Sequence, residues 1–175
     1  MVTTQRSLAI NGPIAYFITF RTYGTWLPGD ERGFGDRRHK EVGTSRRPAD
    51  KSREAAARDR MKHQAVVLND QARTIVEAAI RRRCDEAGWA LHALEVRPTH
   101  THALVSSALR AGQVLSSLKA AATAALHNAD AFSAEQPVWS RQGSTKYLWN
   151  ELQAARVNSY IEECQDDPDR PLPLW

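Results

Sequence analysis

An α+β fold, a ferredoxin-like antiparallel sheet with helices packed on one side, is the architecture that the sequence predicts. Three observations carry it. Elements follow one another as strand, long loop, helix, strand, strand, helix, strand or loop, helix. The two middle strands are separated only by Arg97-Pro98-Thr99, a hairpin-length turn, which makes them antiparallel. The helical segments show one apolar stripe each, as expected of helices that cover a sheet.

The first strand is read over Ile14 to Tyr23, where β-branched and aromatic residues follow Gly12-Pro13. Gly24, Pro28, Gly29, Gly33 and Gly35 then surround Trp26 in a structured loop. Between Asp36 and Lys62 apolar residues nearly vanish and ten Lys and Arg residues, among them Arg37 and Arg38, face five acids. Such a stretch cannot be core; it reads as a loop, either solvated or ordered by a nucleic-acid backbone. Asp70 to Ala87 carries Ala72, Ile75, Val76, Ala79 and Ile80 at helical spacing, with Asp70 as N-cap and Gly88 as stop. Trp89 to Val96 and His100 to Ser106 form the predicted hairpin, and Gly112 to His127 the second helix. Val138-Trp139 and Tyr147-Leu148-Trp149 bracket a polar segment, read as a short strand and loop. A last helix is expected over Glu151 to Gln165, with Ala154, Val157, Ile161 and Cys164 on one face, before a tail with three prolines.

The 175 residues suit one domain, with its core over about 14–165, a basic insert over about 36–62 and a tail over 166–175. A net charge of +4 and a pI near 9.3 favour a polyanionic partner without naming it. Cys84 and Cys164 lack the spacing of a zinc knuckle or a redox pair, which suggests free thiols in a reducing cytoplasm. No stretch has the length of a membrane span, and the first residues lack the pattern of a signal peptide. A cytoplasmic protein without a membrane partner is expected.

His100 and His102 are two residues apart in a strand, so both imidazoles project from one face and can share a cation. The same spacing also suits two histidines that merely face solvent. Cysteine ligands are absent nearby, so an open site completed by an oxygen, water and a substrate phosphate suits the pair better than a closed zinc site. Tyr160 lies beside the stripe Val157, Ile161 and Cys164 of the last helix. It reads either as a packing residue or as a nucleophile whose phenol attacks a metal-bound phosphate. Lys119, Arg141 and Lys146 are expected near the catalytic face. Trp26, Trp139 and Trp149 either fill the core or stack unpaired bases, with core favoured.

Four segments in order then resemble the single-tyrosine HUH transposases, including REP-associated tyrosine transposases. Arg97-Pro-Thr-His-Thr-His-Ala-Leu-Val105 looks like their histidine motif, and Val157-Asn-Ser-Tyr-Ile-Glu-Glu-Cys-Gln165 like their tyrosine helix. Tyr16 to Gly33 and Trp139 to Trp149 are similar to further stretches of a subgroup. The resemblance implies an HUH endonuclease core, a magnesium or manganese ion on His100 and His102, and Tyr160 as nucleophile. It further implies single-stranded DNA with hairpins as substrate, a 5′-phosphotyrosine intermediate, and a homodimer. Arg21, Lys119, Arg141, Lys146, Arg37 and Arg38 are the candidate DNA contacts. Two departures stand out. Thr101 occupies the position between the histidines that is usually bulky and apolar, and Cys164 stands where the extra metal ligand would be, one helical turn after Tyr160. Gln165, rotated about 140° from Tyr160 on an ideal helix, is the candidate for that ligand. Two rival readings remain: a domesticated relative that binds hairpin DNA without cutting it, and a metal-dependent phosphodiesterase that uses water.

Overall fold

In the computed structural model, which describes residues 12–32 and 48–163, the elements run β1 (Ala15–Thr22), α1 (Lys51–Asp59), α2 (Asp70–Ala87), β2 (Ala90–Val96), β3 (His100–Ser106), α3 (Ala111–Asn128), β4 (Trp139–Leu148) and α4 (Glu151–Glu163). The four strands form one sheet in the order β2-β3-β1-β4, with every neighbouring pair antiparallel. This is the expected α+β, ferredoxin-like sheet. Each helical crossover returns the chain parallel to the strand it left, with β3 in the slot between β1 and β2 and β1 in the slot between β3 and β4.

Strand alternation divides the core in two. Tyr16, Ile18, Phe20, Ala103 and Val105 pack against Val76 and Ile80 of α2 and Val114 and Leu118 of α3. On the opposite face, Ala15, Phe17, Leu104 and Leu148 pack against Val157 and Ile161 of α4. The expectation of helices on one side therefore holds for α2 and α3, whereas α4 covers the other face. The physical reason is that both faces of the central strands are apolar: Ala15 to Ile18 are all buried, and two apolar faces need two covering layers. Burial of Val157 and Ile161, worth roughly 1.5–3 kcal/mol each, clamps α4 to the sheet. Asn150 starts that helix, its Oδ1 accepting the Gln153 N–H at 2.9 Å.

Three local expectations are revised. The cap of α2 is Asn69, whose side chain accepts the Ala72 N–H at 2.8 Å, one residue before Asp70. The polar segment after Trp139 is the interior of the ten-residue β4, not a loop. An edge strand tolerates this composition because most of its length is in contact with water. Part of the basic insert is helical. Asp50 caps α1, which has no buried residue, and the Asp50 N–H donates to the Gly29 carbonyl at 2.9 Å. Gly29 has φ +102°, and a Cβ there would collide with the Asp50 carbonyl oxygen and approach Glu54 N to 2.6 Å, so the junction requires glycine. Among the described residues no helix is long and apolar enough to cross a membrane.

Candidate active site

The face of the sheet under α4 carries the candidate chemistry. Pairing of β1 with β3 sets Thr19 opposite His102 and Arg21 opposite His100, and cross-strand partners share a face. The two imidazole centroids are 4.8 Å apart. Tyr160, three residues after the buried Val157 and one before the buried Ile161, stands partly buried over the same face. Its ring is edge-on to His102 at 5.9 Å and to Phe17 at 6.1 Å, while Phe17 lies 5.4 Å from His102. The fold thus brings together three residues that are remote in sequence.

Each histidine has its Nδ1 next to a threonine hydroxyl. Thr19 Oγ1 is 2.9 Å from His102 Nδ1, and Thr99 Oγ1 is 3.2 Å from His100 Nδ1. When the hydroxyl accepts the ring N–H, the Nε2 lone pair is left for a ligand, the arrangement by which outer groups orient metal-binding imidazoles. Burial holds the pKa of His102 down to about 3, with repulsion from His100, Arg21 and Arg97 adding to it. Burial likewise lowers His100 to about 4, helped by Arg21, Arg97 and Arg32. Both rings are therefore neutral near pH 7, the form that can coordinate a metal. They supply two nitrogens, which fits an open site that takes its remaining ligands from water and substrate. Among the described residues no group of three or more His, Cys, Asp or Glu side chains could hold a metal ion. Gln165, Arg37 and Arg38 lie outside the described residues.

The predicted cations separate. Arg21 neighbours His100 across the strands, and Lys146, paired with Phe17, shares the α4 face. Lys119 and Arg141 do not reach this face, contrary to expectation. They line a concave surface between α3 and the start of β4, on the α2–α3 side, with Lys119 Nζ donating to the Ser140 carbonyl at 2.6 Å. The cause is geometric: α3 packs on the face opposite the histidines, and strand alternation puts Arg141 on the same side as buried Trp139. The tryptophans divide as well. Trp139 is core, Trp26 is half-buried beneath two guanidiniums, and Trp149 is exposed beside the ring of Tyr147. The core reading thus holds for one of the three.

Thr19, Thr99 and Arg97 escaped the sequence reading as site residues. Alternation within β1 places Thr19 with Phe17 and Arg21, but only the register with β3 shows that this face meets the histidines.

No protein-family model matches the chain, and no curated protein matches it. Among solved structures, one from Deinococcus radiodurans R1 that is provisionally named a transposase is similar over 86% of this chain and 89% of its own, at 17% identity and a TM-score of 0.49. A REP-associated tyrosine transposase bound to a REP hairpin is similar over 86% of this chain, at 12% identity and a TM-score of 0.49. This chain spans 65% of the length of that second protein. Along most of its course, then, the chain is similar to two solved proteins that carry a transposase name.

Proposed function

We propose that this chain is a metal-dependent tyrosine transposase that nicks and transfers single-stranded DNA containing hairpins, through a 5′-phosphotyrosine intermediate. The observation that carries the reading is the meeting of Tyr160 with His100 and His102 on one sheet face, with the Tyr160 and His102 rings 5.9 Å apart. His100 and His102, completed by Gln165, would hold a magnesium or manganese ion, which when bound offsets phosphate charge and favours a deprotonated nucleophile. The remaining roles belong to the chain itself. The Tyr160 oxygen attacks phosphorus, the new oxygen–phosphorus bond replaces the bond to the 3′ oxygen, and the phenolic proton is balanced by protonation of that 3′ oxygen. Attack of a 3′-hydroxyl on the same phosphorus reverses the step and joins a strand. Arg21 and Lys146 supply positive charge on this face to hold the phosphate backbone.

Phenylalanine at 160 keeps the ring contacts and removes the attacking oxygen. Tyr160→Phe is expected to melt like the wild type and bind hairpin DNA, yet form no covalent adduct on a denaturing gel with labelled single strands and magnesium. Adduct mapping to Tyr16, Tyr23 or Tyr147, or normal cleavage by Tyr160→Phe, would overturn the assignment. Both ends released free by wild type and mutant alike would identify water as the nucleophile instead.

A further inference from the structure

We propose that Trp26 is a positioning residue that holds the Arg21 guanidinium beside His100 as the fork for the scissile phosphate, an inference that rests on the nuclease reading of the site. The loop after β1 builds this device from its own residues. Arg21 Cζ lies 3.7 Å from the centre of the Trp26 ring, and Arg32 Cζ lies 4.5 Å from it. Arg32 acts as a brace. Its Nε and Nη2 donate to the two carboxylate oxygens of Asp30 at 2.7 and 2.6 Å, and Nη2 also donates to the Thr25 carbonyl at 2.9 Å. Asp30, itself buried, neutralises that guanidinium, and the bonds of Arg32 tie residues 25, 30 and 32 into one unit beside the indole.

The unit is also fastened to the histidine strand. The Thr99 carbonyl accepts from Thr22 N at 2.9 Å, from Thr22 Oγ1 at 3.1 Å and from Thr25 Oγ1 at 3.4 Å. Thr99 in turn places its hydroxyl on His100 Nδ1. Trp26, Arg21 and His100 are therefore linked through a short chain of bonds. An indole face is the strongest aromatic partner for a cation, and a guanidinium can stack flat on it while its edge remains directed at an anion. A planar fork matches two non-bridging phosphate oxygens, which an ammonium does not. A device that holds a phosphate beside the histidine pair accounts for a loop so rich in mutual bonds.

The test uses the full chain and an oligonucleotide whose cut position has been mapped with wild-type protein. In the Tyr160→Phe background, binding is compared between the native strand and one carrying an uncharged methylphosphonate at that linkage. Neutralising the linkage is expected to weaken binding on the order of 10- to 100-fold, the scale of a charge-assisted interaction. Adding Arg21→Gln should erase this discrimination, Trp26→Leu should reduce it several-fold, and Trp26→Phe, which retains an aromatic face, should restore most of it. Should Trp26→Leu fail to fold, Trp26→Gln, which keeps bulk without an aromatic face, takes its place, while Arg21→Gln and Arg21→Lys test the fork itself. Unchanged discrimination in these variants, or equal weakening of native and neutral strands as a base-stacking Trp26 would give, defeats the inference alone. Absence of any wild-type cleavage or adduct defeats the nuclease reading and this assignment with it.

Discussion

Replacing Thr101 by valine exchanges a hydroxyl for a methyl group at a position with no exposure to solvent. Thr101 sits in the centre of the sheet, paired with Phe20 of β1 and Val96 of β2, and its side chain points to the α2–α3 face, away from the two histidines that flank it. Its Oγ1 is buried without a hydrogen-bond partner among the described residues. An unmet buried hydroxyl costs about 1–3 kcal/mol, and valine has nearly the same shape. Thr101→Val is thus expected to stabilise the fold by about 1–3 kcal/mol, raising Tm by about 2–4 °C for each kcal/mol in a chain of this size. Thermal melts followed by circular dichroism, with urea melts of equal slope, measure this directly. Since the change lies on the far face from Tyr160, cleavage should not alter. A Tm equal to or below that of the wild type would refute the reasoning and mean that the hydroxyl makes a favourable interaction of its own.

Further expectations concern pH and salt. His100 and His102 have folded pKa values of about 4 and about 3, below the ordinary value of 6.5, so the unfolded chain takes up protons first as pH falls. In metal-free protein stability should accordingly be level above pH 7, fall by about 2 kcal/mol per histidine towards pH 5, and become less steep in His100→Gln or His102→Gln melts. A pH-independent Tm over that range would contradict the neutral, buried pair. Helix α1 presents Lys51, Arg53 and Arg58, followed by the exposed Arg60 at its C-cap, without burying a residue. If it meets the DNA backbone, replacing these four by glutamine should reduce the slope of log affinity against log salt by about 0.7 for each phosphate no longer neutralised, and an unchanged slope would make α1 a bystander.

The amino-acid sequence by itself determined the features that depend on neighbours along one element. The two-residue spacing of His100 and His102 placed them on one strand face, and the three- and four-residue spacing of Val157, Tyr160 and Ile161 put the tyrosine on the packed side of its helix. The element order led to the antiparallel sheet for the same reason. Resemblance of four segments, not periodicity, linked these parts to DNA chemistry. Only the tertiary structure decided the register of β1 against β3, and therefore that Thr19 and Arg21 face the histidines. It also decided that α4 covers the face opposite α2 and α3, which takes Lys119 and Arg141 away from the site and leaves Lys146 on it. These are long-range choices, set by how two apolar faces of one sheet are buried together, and no local pattern in a single strand or helix encodes them.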